Sequence, residues 1–183
     1  EQRTKLYEEI NARTLTQAKK IAVLADEALK ADDIRERNYK AGVICFLGAY
    51  MKRYANLMLL AENENRMNTT ELGMAIAESL RYLGNINIPG DLISDENTKI
   101  LTQDAILLYE MFETLVEDKL TELQAVYVKL ETAAEVVLKI TLEGIHAVLD
   151  KVMSDKISEA GISVAINYED EVSYVRFRVK REV

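Results

Sequence analysis

Apolar residues recur at steps of three and four positions through most of the first 85 residues, a spacing typical of amphipathic helices. A polar break at residues 31–33 separates two such runs, and the second run has the wider apolar stripe. The first seam comprises Ile10, Thr14, Gln17, Ile21, Leu24 and Ala28. The second comprises Val43, Leu47, Tyr50, Tyr54, Leu57 and Ala61, widened by Ile44, Met51 and Met58. The pattern predicts a long helical hairpin.

Two antiparallel helices with these stripes cannot bury all their apolar surface against each other. The wide stripe of the second helix therefore predicts that two hairpins associate into a four-helix bundle. We expect the protein to be a homodimer.

The next segment continues as a helix and then changes pattern. Asn68 and Glu71 have the spacing of a capping box, which predicts a third helix from about Asn68 to Gly84. Residues 85–97 contain the only proline and several Asn and Asp residues, so they are predicted to be a loop. A fourth amphipathic helix follows, marked by Leu101, Ala105, Leu108, Phe112 and Leu115.

From Ala125 the apolar period becomes two, which is typical of strands. Residues 126–130 and 136–142 form one predicted hairpin, and residues 162–166 and 175–179 form a second around an acidic turn at 169–171. Helical spacing between them predicts a helix over residues 145–160. The C-terminal half is therefore α+β, with about four strands in one sheet and helices on one face.

Composition narrows the range of functions. The 183 residues carry 23 Lys and Arg against 31 Asp and Glu, a net charge of −8, which argues against nucleic acid as a partner. The longest apolar runs are interrupted at Lys52 and Arg53, so no membrane-spanning segment is predicted. The chain opens at Glu1 without an initiator Met or a signal-peptide pattern, which indicates a piece of a longer protein. With one cysteine, a reducing cytoplasmic location is expected.

Few residues carry obvious chemistry. Cys45, in an apolar helix, is expected to be a small buried hydrophobic residue, and His146, the single histidine, is expected at the surface or at a helix cap. Glu110, Glu113 and Glu117 form a column at helical spacing that could hold a metal or act in acid–base chemistry. A solvated helix face, balanced in part by Lys119, is the preferred interpretation of this column. No metal ligand set is predicted.

Two stretches resemble a known family. Residues 47–62 read LGAYMKRYANLMLLAE and residues 78–83 read ESLRYL. Both are similar to segments of LytS-like, GHKL-type sensor histidine kinases of Firmicutes, and the order of predicted elements is similar along nearly the whole chain. The resemblance implies a dimerising helical hairpin over residues 1–66, followed over residues 67–183 by a reduced GHKL (Bergerat) ATPase-like α/β domain. The boundary could instead lie at residues 85–97.

The residues that the family uses for catalysis are largely absent. In the favoured register Ile10-Asn11-Ala12 takes the place of the family's hydrophobic-His-Asp, so the phosphoacceptor histidine and its carboxylate partner are missing. The asparagines of the family's Mg²⁺-binding box correspond to Glu110 and Thr114, within a segment that keeps Glu113 and Glu117. The family's D-x-G-x-G motif is reduced to Glu143 and Gly144, and no later glycine-rich stretch could form an ATP lid.

The resemblance therefore implies a signalling module that has lost catalysis, a dimeric pseudokinase or scaffold without ATP or Mg²⁺. Its partner would be a response regulator or another signalling protein. It would be the cytoplasmic part of a protein that reaches the membrane through a preceding sensor. Two alternatives stay open: an active ATP-binding kinase that uses residues such as Glu113 and Glu143, or a phosphotransferase acting in trans. A generic dimerisation hairpin joined to an unrelated ligand-binding domain is a further possibility.

Overall fold

The computed structural model describes residues 2–95 and 97–179. Five helices and seven strands alternate along this part of the chain. The helices are α1 (Gln2–Lys30), α2 (Ile34–Asn63), α3 (Thr69–Gly84), α4 (Thr102–Glu117) and α5 (Lys151–Glu159). The strands are β1 (Arg66–Asn68), β2 (Gly90–Ser94), β3 (Lys99–Leu101), β4 (Ala125–Glu131), β5 (Val136–Glu143), β6 (Ser163–Glu169) and β7 (Val172–Val179).

The predicted hairpin is confirmed. α1 ends at Lys30, and Asp33 caps the start of α2 by accepting a hydrogen bond from the backbone N–H of Arg35 at 2.9 Å. Ile10 and Gln17 of the first seam are buried, and the remaining seam residues are half-buried against α2. The capping residue Asn68 also begins α3 as expected, accepting from the N–H of Thr70.

The second helix packs both within the hairpin and against the α/β half. Phe46 and Tyr50 of α2 are fully buried, and the ring of Tyr50 lies 5.5 Å from that of Tyr109 in α4. The apolar residues of the hairpin and of the α/β half therefore form one continuous core.

By length and composition α2 could cross a bilayer, contrary to the expectation from the charges at Lys52 and Arg53. A buried core helix meets the same test, and 44% of its most apolar window is buried inside the structure. Its contacts with α1, α3 and α4 account for this apolar character.

The main sheet has five strands in the order β2-β4-β5-β7-β6, not about four. The additional strand is β2, which lies inside the segment predicted to be a loop. It pairs in parallel with β4. Its sequence GDLIS has only two apolar residues, so periodicity could not reveal it, and Pro89 just before it signals a turn. β1 and β3 form a separate antiparallel pair that was also not expected.

One face of the sheet is covered and the other is open. Val126, Leu142 and Ser173 lie side by side on the covered face and are buried, whereas the alternating positions are mostly exposed on β4 and β7 and mostly half-buried on the central β5. The helices of the α/β half therefore lie on one side of the sheet, as expected. The fold class is confirmed as a helical hairpin followed by a two-layer α/β domain.

The helix predicted over residues 145–160 begins only at Lys151. Gly144 has a φ of +87°, which turns the chain after β5, and Asp150 caps α5 by accepting from the N–H of Met153 at 2.8 Å. Val148, which in a helix over residues 145–160 would share a side with the buried Ile145, is 71% exposed. Apolar residues of an irregular segment happened to fall at helical spacing, which is why the sequence pattern was misleading here.

Candidate functional site

The residues that the resemblance assigns to a nucleotide site lie mainly on α4. This helix is buried on most of its surface because it packs against α2 and α3 on one side and faces the sheet on the other. Three of its carboxylates and one hydroxyl are the sequence candidates: Glu110, Glu113, Glu117 and Thr114. Each makes a contact inside the chain, and each contact involves a different part of the fold.

The side chain of Glu113 lies between its own helix, α4, and α3, and the residue is 1% exposed. Its Oε1 accepts a hydrogen bond from the hydroxyl of Ser79 at 2.5 Å, and that hydroxyl lies 3.0 Å from the hydroxyl of Tyr109. Burial, together with the negative charge of Glu113, raises the pKa of Tyr109 well above its ordinary value, so the phenol stays neutral. The carboxylate of Glu113 is thus committed to a buried polar cluster.

Glu110 connects α4 to α5. Its Oε1 accepts from Nζ of Lys156 at 2.8 Å, and its side chain is 10% exposed while that of the lysine is 46% exposed. A pair with one buried member holds its geometry better than a surface pair because the carboxylate has little water to replace the ammonium. Lys156 therefore occupies the position next to Glu110 that a bound cation would need.

Glu117 connects α4 to α1. Its Oε2 accepts from Nε2 of Gln17 at 2.7 Å, and its Oε1 is paired with Nζ of Lys20. Gln17 is 3% exposed, so a polar contact lies within the apolar seam between the hairpin and the α/β half. Buried polar contacts of this kind fix the register of two packed helices.

The interpretation of these glutamates as a solvated face balanced by Lys119 is wrong. Glu110 and Glu113 are buried, and Lys119 is instead 3.5 Å from Glu122. The three carboxylates share one side of the helix, as the spacing predicted, but that side is packed against neighbouring elements. Thr114 donates to the carbonyl oxygen of Glu110 at 2.9 Å, a bond within its own helix.

Glu143 and Gly144 end β5. Glu143 lies on the open face of the sheet. A Cβ at Gly144 would come within 2.8 Å of the carbonyl oxygen of Glu122 and 2.7 Å of Cγ of Gln124. Glycine is therefore required at this position, because its φ is positive and because other atoms of the chain leave no room for a Cβ.

Residues 143–147 are those that the resemblance places at the family's D-x-G-x-G motif, and the segment that follows β5 is held closely to the sheet. The hydroxyl of Ser173 donates to the carbonyl of Ile145 at 2.7 Å and accepts from the N–H of Ala147 at 2.8 Å. Tyr168 donates to the carbonyl of Ala147 at 2.6 Å. His146 is exposed, with its ring 5.2 Å from that of Tyr168, so the surface position expected for this histidine is confirmed.

These contacts test whether a nucleotide with Mg²⁺ fits. A phosphate–magnesium group needs oxygen or amide ligands that are free to face it and a backbone that it can approach closely. Here Glu110, Glu113 and Thr114 are all bonded within the chain, and residues 144–150 are bonded to Ser173 and Tyr168. The residues present do not fit this group.

A groove of about 360 Å³ lies elsewhere, between α2 and α3. Its lining comprises Arg53, Asn56, Leu57, Leu59, Leu60, Glu71 and Ala75. No sequence candidate lies in it. Among the described residues, no group of three or more His, Cys, Asp and Glu side chains has the geometry to hold a metal ion.

The sequence interpretation missed the partners of the candidate residues: Ser79, Lys156, Ser173 and Gln17. Gln17 is a polar residue in an apolar seam, and a polar residue at such a position indicates a buried hydrogen bond. The other three have no local signature, since each is separated from its partner by more than 25 residues.

A second apolar seam runs along the hairpin on its open side. On α1 it steps through Leu15, Ala18, Ala22, Ala25 and Leu29, again at alternating intervals of three and four. Leu15 and Leu29 are 55% and 84% exposed. On α2 the same spacing runs through Ala41, Cys45, Gly48, Ala55 and Leu59, interrupted by the exposed Lys52, which is paired with Glu78. Cys45, expected to be buried, is exposed on this seam.

Comparison with known proteins addresses the fold. No protein-family model and no curated protein match the chain. Among solved structures, a bacterial phosphotransferase is 12% identical with a TM-score of 0.52, over 94% of this chain and 93% of that one. The histidine kinase domain of a blue-light activated histidine kinase from Erythrobacter litoralis is 9% identical with a TM-score of 0.56, over 96% and 95%. The chain therefore has a histidine-kinase-like fold, as the resemblance predicted.

Proposed function

We propose that this chain is a dimeric signalling module that uses the histidine-kinase-like fold without kinase chemistry. It acts by conformation and contact, as a scaffold or pseudokinase. In this proposal it is the cytoplasmic part of a longer protein of the LytS-like type. Its partner is a response regulator or another signalling protein that reads the exposed helix surfaces.

The main support for the proposal is that the α4 carboxylates are bonded to other groups of the same chain. Ser79, Lys156 and the pair of Gln17 and Lys20 hold Glu113, Glu110 and Glu117 within the chain, so a phosphate–magnesium group would have to break these contacts to bind. The absence of histidine from α1 supports the same conclusion because phosphoryl transfer to this helix needs an imidazole nucleophile.

Dimerisation is supported by the second seam. Exposed residues at heptad spacing on both helices form a surface that a second hairpin can cover. A Cβ added at Gly48 would meet no heavy atom within 4 Å in its own chain, which leaves room for a close helix from a partner. We propose a homodimer built on this seam.

Calorimetric titration with ATP and Mg²⁺ tests the loss of nucleotide binding. We expect no saturable heat up to millimolar nucleotide, and no label incorporated from γ-labelled ATP. A Glu110→Asn, Thr114→Asn variant returns the family's residues at both positions, and it controls for whether these two residues alone prevent binding. Saturable binding of the unaltered chain at micromolar concentration would overturn the pseudokinase proposal and favour the ATP-binding alternative.

Light scattering tests the homodimer. We expect Ala22→Glu to break the contact at the hairpin seam and to lower the average mass, because two carboxylates would be buried in the seam without partners. Thr16→Glu adds the same side chain to an exposed position of α1 outside the seam and is expected to leave the dimer intact. Cys45 supplies an independent check, since a short thiol-specific crosslinker should join two copies. A monomer before any substitution would contradict the proposal.

Phosphotransfer in trans is the second candidate, and the exposure of the single histidine favours it. In this case His146 would accept a phosphoryl group from a phosphorylated partner and pass it on. Incubation with a small phosphodonor such as acetyl phosphate should then give acid-labile phosphate on the chain and none on His146→Ala. No labelling of either protein would remove this candidate.

A further inference from the structure

The strand β6 ends the main sheet with little of the usual protection of an edge, since its one charged residue is Glu169 at its end. It lies outermost next to β7, and the described part of the chain places no strand beyond it. Over residues 163–168 it carries no proline, no glycine and no charged side chain, and it includes Val164, Ile166 and Tyr168, which favour strands. Exposed edges of this length and composition readily pair with another strand.

The opposite edge of the same sheet differs. β2 is shorter, begins at Gly90, carries Asp91 and is followed by Asp95. It is also packed closely against α3, since a Cβ at Gly90 would lie 2.8 Å from Cδ2 of Leu80. Each edge strand carries one acidic residue, but Asp91 lies inside the shorter strand whereas Glu169 only ends β6, and a short strand with an inner charge is a common way to prevent edge pairing. The contrast singles out β6.

The sequence of β6 is complementary to itself when two copies run antiparallel. With the two-fold axis at Ile166, Val164 of one copy lies opposite Tyr168 of the other, and Ile166 lies opposite its own counterpart. These three residues belong to the covered side of the sheet, because they align with Phe177, Val175 and Ser173 of β7. On the open side, Ala165 lies opposite Asn167. The pairing therefore matches apolar with apolar residues and opposes no like charges.

Charge on the open face favours the same arrangement. The strand ends at one side of this face are acidic, with Glu143 and Glu169 in one cross-strand row. The other side is basic, with Lys129, Lys139, Arg176 and Arg178 in neighbouring rows. Lys129 and Lys139 are paired with Glu131 of the same chain, and Nε of Arg178 is paired with Glu135 at 3.0 Å, so Glu169 of a second copy would join an existing ion pair.

Antiparallel pairing brings the acidic side of one copy beside the basic side of the other. Glu169 of the second copy falls next to Ser163, which aligns with Arg178. Two strand spacings, about 10 Å between Cα atoms, are within reach of extended Glu and Arg side chains. The turn at residues 169–171 adds two more carboxylates to the acidic side.

Apolar side chains next to the edge add contact area. Val148 and Val152, before and within α5, are 71% and 65% exposed, and α5 packs against β6. Val164 and Tyr168 are also partly exposed on this side. An added strand would take part of this surface out of water.

We propose that a second copy of the chain pairs antiparallel with β6 about a two-fold axis at Ile166, joining two five-stranded sheets into one of ten strands. The contact is separate from the hairpin seam and does not depend on it. Where both contacts form, each protomer has two different two-fold interfaces, and dimers are linked into longer assemblies.

A cysteine pair tests the register. In a Cys45→Ser background, Ile166→Cys places two thiols opposite each other across the axis, at a Cα separation of about 4.5–5.5 Å that a disulfide can bridge. Val164→Cys is the matched control, since its counterpart lies about four residues away along the strand. We expect a disulfide-linked dimer from Ile166→Cys alone. Crosslinking of both variants, or of neither, would overturn the register and the proposal.

Charge variants test the complementarity. In an Ala22→Glu background, which removes the hairpin seam, sedimentation should still detect a salt-sensitive dimer. Glu169→Lys is expected to weaken it about tenfold, since each interface has two copies of the changed contact. Glu143→Lys makes the same change in the same row two strands away and should have no effect. Equal effects of both variants, or a monomer at every concentration, would overturn the proposal.

The two sets of variants separate this inference from the proposed function. If Ala22→Glu leaves association unchanged while Glu169→Lys weakens it, the hairpin dimer is wrong and the β6 contact stands. If Ala22→Glu alone abolishes association, the reverse holds.

Discussion

The side of α4 that carries Glu110, Glu113 and Glu117 and the open seam of the hairpin present opposite situations. The polar groups of α4 are turned inward and bonded within the chain. The apolar groups of the hairpin seam, such as Leu15 and Leu29, are turned outward. Ordinarily a binding site leaves polar groups accessible and a core buries apolar ones.

This difference indicates which kind of activity each region can support. A helix whose carboxylates already have partners gains little from a cation or a phosphate, because binding must first break existing contacts. An uncovered apolar seam gains from any partner that removes it from water. The contrast supports association rather than catalysis as the role of the molecule.

The largest effect on stability is expected at Glu113. Glu113→Ala should lower the free energy of unfolding by about 3 kcal/mol, because it leaves a cavity and removes the acceptor of the buried Ser79 hydroxyl. Chemical denaturation measures this loss. Ser79→Ala and Tyr109→Phe combined with Glu113→Leu replace all three polar groups of the cluster by apolar ones and should recover most of it. A single variant as stable as the unaltered chain would mean that Glu113 is not committed to the core.

Gly144→Ala should come next. The positive φ costs an alanine about 1 kcal/mol, and the approach of Glu122 and Gln124 adds about as much again, so we expect a loss of about 2 kcal/mol. Gly161→Ala is the matched control, since it has a φ of +70° but open space around its Cβ. Thermal unfolding of both variants separates the strain from the clash. Equal losses would contradict the close approach at Gly144.

Lys156→Met should have a smaller effect. It leaves the carboxylate of Glu110 with little water to take the place of the ammonium, but the 46% exposure of the lysine weakens the pair, so we expect a loss of about 1 kcal/mol. Lys151→Met, at an exposed position of the same helix, should change stability by less than about 0.5 kcal/mol. Urea unfolding of the two variants measures the difference. If both behave alike, Lys156 does not connect α5 to α4.

The smallest effect on the protomer, with a large effect on association, is expected at Gly48. Gly48→Leu should stabilise the folded protomer by about 0.5–1 kcal/mol through helix propensity, because a Cβ added at this position meets no heavy atom of its own chain within 4 Å. The same change should weaken the hairpin dimer at least tenfold by preventing close packing. Gly84→Leu, at the end of α3, also has open space and should leave association unchanged. Light scattering distinguishes the two.

Strong local patterns predicted their elements correctly. The heptad seam predicted the hairpin, Asn68 predicted the start of α3, and alternation predicted both β-hairpins. The strand β2 and the segment 144–150 were predicted wrongly, because their conformations depend on β4, Ser173 and Tyr168, which lie far away in sequence. The positions of the site candidates on one side of α4 were predicted, and their partners were not.

Residue identity and spacing alone established the period of each segment, the absence of histidine from the first helix and, in the register that the resemblance implies, Glu110 and Thr114 at the positions of the family's asparagines. These properties depend only on which residues are present and how far apart they lie, so they follow from the sequence without knowledge of the fold. Only the tertiary structure decided that Glu113 meets Ser79, that Glu110 meets Lys156 and that Cys45 is exposed. A helix pattern shows which residues share a side. What that side contacts depends on how distant elements pack, because burial and hydrogen-bond partners belong to the assembled core.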